Sequence, residues 1–193
     1  YGIYFIVLVV LIVGGVAGWR GWQWYEAKKA AEAGAAFEQA VALSDADKHK
    51  EAEAAFAKIA GEAPAGYRLL ARLRVAAELA QDDTKAAVAQ YDGIAADASV
   101  GQTMRDLAAI RAGMLLVDTA SYDDIRGRLE PLSAADRPFR HTAREMLAMS
   151  AWRANDVTAT RKYIEMVVGD TETPPGIRQR IEVLSALLAS EGK

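Results

Sequence analysis

The chain has 193 residues, a formal net charge of −3 and an isoelectric point near 5.5, with 52% hydrophobic and 25% charged residues. It contains no cysteine, which excludes disulfides, zinc–thiolate sites and cysteine nucleophiles. The slightly acidic balance offers no basic patch, so nucleic acid is not an expected partner.

Residues 2–19 carry no charge, and they predict a single transmembrane helix. Such a segment extends about 27 Å, close to the hydrocarbon thickness of a bilayer. A cleaved signal peptide is the alternative, because the most apolar stretch has the length of a signal sequence and small residues follow it. We favour an anchor over residues 1–25, because the side chains at its end are typical of a membrane interface. These side chains belong to Trp19, Arg20, Trp22, Trp24 and Tyr25.

Gly14 and Gly18 form a pair of small residues within the predicted span. This spacing lets two helices approach closely in lipid, and it makes the pair a candidate contact with another membrane helix. Glycine is also common in membrane helices generally, so the spacing has a second interpretation without a partner.

The charges that follow the predicted span bear on its orientation. Arg20, Lys28 and Lys29 outnumber Glu26, which by the positive-inside rule weakly favours a cytoplasmic position for the rest of the chain. The chain begins at Tyr1 rather than methionine, so we expect an upstream flank whose charges also count. The residues alone therefore leave the orientation open.

Residues 26–193 are rich in helix-forming residues, and they predict an all-α domain of repeats. One pattern of three residues recurs along this domain. It consists of a small residue, a large residue four positions later and an apolar residue three positions after that, and this spacing places all three on one helix face. This pattern recurs with a period of about 34 residues, which is the tetratricopeptide signature. The predicted packing positions are Ala52, Phe56 and Ile59, then Ala87, Tyr91 and Ile94, then Leu129, and finally Ala159, Tyr163 and Met166.

Four helical hairpins follow from this pattern, with second helices near 48–60, 84–96, 122–132 and 156–168. A capping helix is predicted over 175–189, because Thr173 can cap a helix and proline is tolerated in its first turn. Pro131 falls within the third of the second helices and should kink or shorten it. We therefore expect an N-terminal transmembrane helix followed by a tetratricopeptide-like solenoid with a C-terminal cap.

Motifs that bind cofactors or perform catalysis are absent from the sequence, which contains no P-loop, GxSxG, GxGxxG or HExxH. His49 and His141 lie in different repeats without a carboxylate at metal-ligand spacing. We predict a protein that is not an enzyme and needs no metal, cofactor or small-molecule substrate. A solvated charged face is expected for the arginines around the third and fourth repeats. These are Arg126, Arg128, Arg137, Arg140, Arg144 and Arg153.

The order of these features resembles the ancillary SecYEG translocon subunit family, the YfgM-like proteins. The resemblance rests on the span exit Gly18-Trp19-Arg20-x-Trp22, the helix that begins Gly66-Tyr67-Arg68, the Arg144-Glu145 helix and the closing Thr173-Pro174. It implies a single-pass protein of the bacterial inner membrane whose repeat domain lies in the periplasm. It further implies an adaptor or chaperone-like scaffold whose partners are the Sec translocon, a membrane-anchored periplasmic chaperone and emerging client chains.

One alternative to this function stays open. The same anchor and solenoid would serve an accessory structural subunit of another membrane complex, such as a respiratory or photosynthetic assembly. Both interpretations predict a protein that holds other proteins at a lipid bilayer.

Overall fold

The computed structural model describes residues 2–191, with the side chains of all of these except residues 5–10 and 191. Within that range the predicted all-α fold is confirmed, since the chain forms helices and no strand. The helices are α1 (Gly2–Asp45), α2 (His49–Glu62), α3 (Ala65–Asp82), α4 (Thr84–Ala95), α5 (Gln102–Leu116), α6 (Tyr122–Leu129), α7 (Arg140–Arg153), α8 (Val157–Val168) and α9 (Pro175–Glu191). They belong to two compact units, residues 1–78 and 79–193.

The predicted anchor forms the first half of α1, which runs without a break from Gly2 to Asp45. The predicted domain boundary between residues 25 and 26 lies inside this helix and stays a prediction. Within the described residues, none of the helices combines the length and apolar character that crossing a bilayer requires. The side chains of residues 5–10, in the middle of the predicted span, lie outside the described residues.

The first unit is built on the hairpin of α1 and α2, and Phe56 fills its centre. The rings of Phe37 and Phe56 meet edge to face with centroids 5.1 Å apart. Ala52 and Ile59 are buried on the same face of α2, and Tyr67 of α3 packs against this cluster. The small, aromatic, apolar pattern on α2 thus places three side chains in the core of the first unit.

Tight turns of one type end α1 and α7. Asp47 and Asn155 adopt positive φ values of 57° and 58°, which aspartate and asparagine tolerate better than most residues. In the first turn, the backbone N–H groups of Asp47 and Lys48 donate to the carbonyls of Ser44 and Leu43. This pair of hydrogen bonds is a Schellman motif, which satisfies carbonyls at the end of the helix while the chain reverses direction.

In the second unit the helices from α4 to α9 pack each against the next along the chain. Leu129 of α6 and Tyr163 of α8 are fully buried in its core. Gly113 of α5 lies so close to Leu129 that a Cβ atom there would be 3.0 Å from both leucine methyl carbons. The absence of a side chain at Gly113 therefore allows α5 and α6 to approach closely.

The second helix of the third hairpin is short. The α-helix ends at Leu129, and a 3-10 turn over Glu130–Leu132 follows. Pro131 lies in that turn, and proline has no N–H to donate to the preceding turn of an α-helix. The predicted shortening at Pro131 is therefore confirmed, and the α-helix covers less of 122–132 than the pattern alone indicates.

Candidate protein-interaction surfaces

Most of the predicted repeat-packing residues lie inside the two units. Buried side chains are those of Ala52, Phe56, Ile59, Ala87, Tyr91, Ile94, Leu129 and Tyr163. Ala159 and Met166 are partly buried and pack against the core of the second unit. These side chains hold helices together within each unit.

An apolar groove runs along one face of the α1–α2 hairpin in the first unit. Its volume is about 460 Å³. We call it the outer groove, and among the described residues that line it none belongs to α3. Its floor is formed by Ala33, Ala36, Ala40, Leu43, Ala55, Ile59, Ala63 and Pro64, and its rim by Lys29, Glu32, Gln39, Lys58 and Glu62. An apolar floor between charged rims is the form of a groove that accepts an amphipathic helix.

The second unit exposes methionine on its first helices. Met114 of α5 and Met149 of α7 are 51% and 43% exposed, and α5 and α7 are in contact. The two residues occupy equivalent positions one repeat apart, and we call them the methionine face. Methionine is flexible and polarizable, so such a surface can adapt to different apolar segments. Sequence reasoning missed this face, because the exposure of a methionine depends on which neighbouring helix covers it.

The predicted interface residues lie along the exposed surface of α1. Trp19, Trp22, Trp24 and Tyr25 are all exposed. The Lys29 ammonium lies 4.7 Å from the centroid of the Tyr25 ring, and the hydrogen bond with Tyr25 raises the pKa of Lys29. These contacts are local to one helix, so the membrane-interface role of the cluster, including Arg20, stays a prediction.

Gly14 and Gly18, the candidate transmembrane contact, face open space in the described structure. No atom lies within 4 Å of the position that a Cβ atom would occupy at either residue. The predicted helix contact therefore has no partner among the described residues of this chain and stays a prediction.

The prediction of a solvated arginine face is wrong for Arg140 and Arg144 of α7, whereas Arg153 at the end of this helix is exposed. Arg140 Nε and Arg144 Nη1 donate to Asp170 Oδ2 at 2.9 and 2.8 Å, and Arg140 also pairs with Glu172. Arg144 is buried and donates to the Ser133 carbonyl at 2.9 Å. These guanidinium groups hold α7 to the segment between α8 and α9.

Two more of these arginines reach carboxylates on other elements of the second unit. Arg128 pairs with Asp92 on α4, and Arg137 Nη1 lies 3.3 Å from the buried Asp106 Oδ2 on α5. Their charges therefore join helices within the unit. Arg126 remains exposed beside Asp123 at 3.0 Å, as a solvated face would have it.

Each histidine also meets a carboxylate distant in sequence. His49 Nδ1 lies 2.8 Å from Glu78 Oε2, and Ser44 Oγ donates to Glu78 Oε1 at 2.7 Å. His141 Nε2 lies 3.0 Å from Asp170 Oδ2. Through its contacts with Ser44 and His49, the buried Glu78 joins α3 to the α1–α2 turn. In the part of the chain that the structure describes, no group of three or more potential ligands is arranged to hold a metal ion.

We expect the ion network at Asp170 to make stability depend on acidic pH. The hydrogen bond from Arg140, assisted by Arg144 and His141, holds the pKa of Asp170 well below its ordinary range. Because the folded pKa is depressed, this stabilisation is complete above the unfolded pKa of about 3.9 and is lost as the pH falls toward the folded pKa. Melting temperatures measured from about pH 7 down to about pH 2 should therefore fall more steeply for the native chain than for Asp170→Asn.

The control for this measurement is Asp118→Asn, which changes an exposed carboxylate. We expect the melting temperature of this variant to depend on pH as that of the native chain does. If Asp170→Asn also gave a profile parallel to that of the native chain, the ion network would not contribute to the acid sensitivity.

A comparison with protein-family models matches residues 1–146 to the tetratricopeptide repeat-like domain. The match begins in the apolar segment and reaches into α7, so it includes the helices α1 to α6. No curated protein and no solved structure matches the chain significantly. The repeat pattern, the helical hairpins and the extent of this match agree, and the chain belongs to the tetratricopeptide repeat-like domain family.

Proposed function

We propose that this protein is a membrane-anchored scaffold, without enzymatic activity, that holds other proteins close to a lipid bilayer. A tetratricopeptide repeat-like domain is a scaffold for protein–protein interaction. The finer proposal follows the resemblance to YfgM-like proteins. It places the protein in the bacterial inner membrane with the repeat domain in the periplasm, associated with the Sec translocon and a membrane-anchored periplasmic chaperone.

The observation that supports this proposal most strongly is the continuity of α1. One helix joins the apolar segment, the exposed aromatic cluster and the outer groove without a flexible linker. From Tyr25 to Leu43 the rise along a helix is about 27 Å. If the apolar segment is embedded in lipid, the outer groove is confined to a layer next to the headgroups.

The proposed site for client chains is the methionine face. An emerging polypeptide is extended and exposes apolar side chains of many shapes, which rigid pockets bind poorly. Met114 and Met149 offer unbranched side chains that can repack around different residues. Binding of this kind is weak and reversible, as a scaffold near a site of translocation requires.

A photo-crosslinking residue at Met149 tests the proposal in intact membranes. We expect the full chain to stay in the membrane fraction after alkaline extraction. Crosslinks from position 149 should join it to translocon subunits and to newly exported chains. Val157 is the matched control, because it is exposed to a similar extent, 47% against 43%, but lies on the second helix α8.

Two results would contradict the proposal. Release of the chain from membranes by alkali would contradict the proposed membrane anchor. Crosslinks from Met149 only to subunits of a respiratory or photosynthetic complex would contradict the association with the translocon. The protein would then be an accessory structural subunit of that complex.

A further inference from the structure

We propose that Met114 and Met149 are sites of reversible oxidation to methionine sulfoxide, and that this modification turns off binding at the methionine face. The modification follows from the exposure and the chemistry of the two side chains. Its regulatory effect rests on the proposed function, because it requires that client chains bind this face.

The sulfur atoms of this sequence all belong to thioethers. The sequence contains five methionines and no cysteine, so a two-electron oxidant such as hydrogen peroxide meets no thiol in it. When a methionine is oxidised, the O–O bond of the peroxide breaks, one oxygen atom is bonded to the sulfur, and the other leaves as water. The sulfur loses two electrons and the peroxide gains them. Which methionine reacts first then depends on how easily the oxidant reaches its sulfur.

The structure divides the five methionines into accessible and protected ones. Met114 and Met149 are 51% and 43% exposed, and Met104 near the start of α5 is 36% exposed. Met146 is only 5% exposed and belongs to the core of the second unit, although it lies three residues before Met149 on α7. Met166 is partly buried and packs against the same core. An oxidant therefore reaches the methionine face before it reaches the methionines of the core.

Oxidation of the methionine face should leave the fold intact, since both of its side chains already contact solvent. The additional oxygen can point into water and does not enter the packed interior. A sulfoxide at Met146 would instead place a polar oxygen among the apolar side chains of the core, which is costly. The protection of Met146 therefore allows the surface to be modified while the second unit remains folded.

Oxidation changes the property on which client binding at this face depends. A thioether is apolar and polarizable, whereas a sulfoxide carries a polar oxygen that accepts hydrogen bonds from water. The apolar side chains of a client would remove that oxygen from water without offering a donor. Both positions are affected together, because Met114 and Met149 lie on the contacting helices α5 and α7. We expect oxidation of both to weaken binding at least about fivefold.

The reverse step requires a reductant, and enzymes of the methionine sulfoxide reductase class supply one. Two thiols of such an enzyme give up their hydrogens and two electrons and become a disulfide. The sulfoxide oxygen leaves with these hydrogens as water, and the thioether is restored. Because both sulfoxides lie on exposed helix surfaces, the reductase has access to them, and binding can be recovered without new synthesis of the protein.

Oxidation by hydrogen peroxide, followed by tandem mass spectrometry, tests the modification. The full chain is held in lipid nanodiscs, and the sulfoxide fraction at each methionine is measured against time. We expect Met114 and Met149 to react at least about tenfold faster than Met146, with helical circular dichroism unchanged while Met146 is unmodified. Met146 is the matched control, because it lies on the same helix as Met149. Equal rates at Met146 and Met149 would overturn the selective modification.

Binding of an unfolded probe tests the regulation. The probe is fluorescently labelled, reduced and carboxymethylated α-lactalbumin. Its affinity for the native chain is measured before oxidation, after oxidation and removal of the peroxide, and after treatment with methionine sulfoxide reductase. We expect the affinity to fall at least about fivefold on oxidation and to recover after reduction.

The double variant Met114→Leu/Met149→Leu is the control for this measurement, because leucine keeps an apolar surface but does not react with peroxide. Its affinity before and after peroxide should differ by less than about twofold. The second variant, Met114→Gln/Met149→Gln, carries polar side chains and should bind as weakly as the oxidised native chain. An unchanged affinity of the native chain after oxidation, or no recovery after reduction, would overturn the regulation.

Failure of the regulation is separable from failure of the proposed function. Binding by the native chain that persists after oxidation rejects the regulation and leaves the client site in place. A native chain that does not bind the probe before oxidation rejects the client site and the regulation together, while the sulfoxide fractions still decide the modification. Crosslinks from position 149 report on the translocon independently of these measurements.

Discussion

Replacing Phe56 by alanine should reduce the free energy of unfolding by about 3–5 kcal/mol, the usual cost of removing a fully buried phenylalanine. The Phe56 side chain has no exposed surface, and its ring packs edge to face on Phe37. Neighbouring positions on its helix face, such as Ala52, carry small side chains that cannot expand into the space. A cavity would therefore remain in the α1–α2 hairpin, and its lining atoms would lose their dispersion contacts.

Urea denaturation followed by helical circular dichroism measures this change. The control is Leu70→Ala on α3, since Leu70 is 44% exposed and its truncation should cost less than about 1 kcal/mol. Similar losses for the two variants would show that Phe56 does not hold the first unit together.

Replacing Leu129 by alanine should cost about 2–5 kcal/mol in the second unit, and the loss should depend on Gly113. A Cβ atom at Gly113 would lie 3.0 Å from both methyl carbons of Leu129. In the native chain, Gly113→Ala therefore combines a helix-propensity gain of about 1 kcal/mol with a steric clash of comparable or greater cost.

With Leu129 already truncated, the clash disappears and the new methyl group enters the cavity. We expect Gly113→Ala to stabilise the Leu129→Ala variant by at least about 1 kcal/mol, and to be neutral or destabilising on its own. A double-mutant cycle of unfolding free energies measures the difference. Additive effects would show that α5 and α6 do not rely on the close approach at this position.

The helices were predictable from the sequence because the information that specifies them is local. The pattern predicted a second helix over 84–96, and α4 spans Thr84–Ala95. The pattern also predicted a cap over 175–189, and α9 spans Pro175–Glu191. Side-chain caps fix such ends. Asp83, for example, accepts a hydrogen bond from the Ala86 backbone N–H at 2.9 Å at the start of α4.

The polar contacts were not predictable, because they join residues distant in the sequence. Arg144 and Asp170 are separated by 26 positions, and Arg128 and Asp92 by 36. The sequence does not distinguish an aspartate that caps a helix from an aspartate that pairs with an arginine of another helix. Such groups come together only when the helices pack against one another. The periodicity of a single sequence does not show how each helix is rotated about its own axis relative to its neighbours.

The outer groove was missed for a related reason. It is lined by residues of both α1 and α2, and the spacing of residues along one helix does not show what the other helix contributes. The groove becomes apparent only when the side chains of α1 and α2 are placed next to each other.

The uninterrupted course of α1 also constrains how the gene can change in length. Inserting one residue between Gly18 and Lys29 would turn the outer groove by about 100° in azimuth and shift it by about 1.5 Å relative to the N-terminal segment. Seven residues, two turns, nearly restore the original azimuth. Insertions and deletions in this stretch should therefore be tolerated in steps of about seven, whereas the turns between later helices can vary one residue at a time.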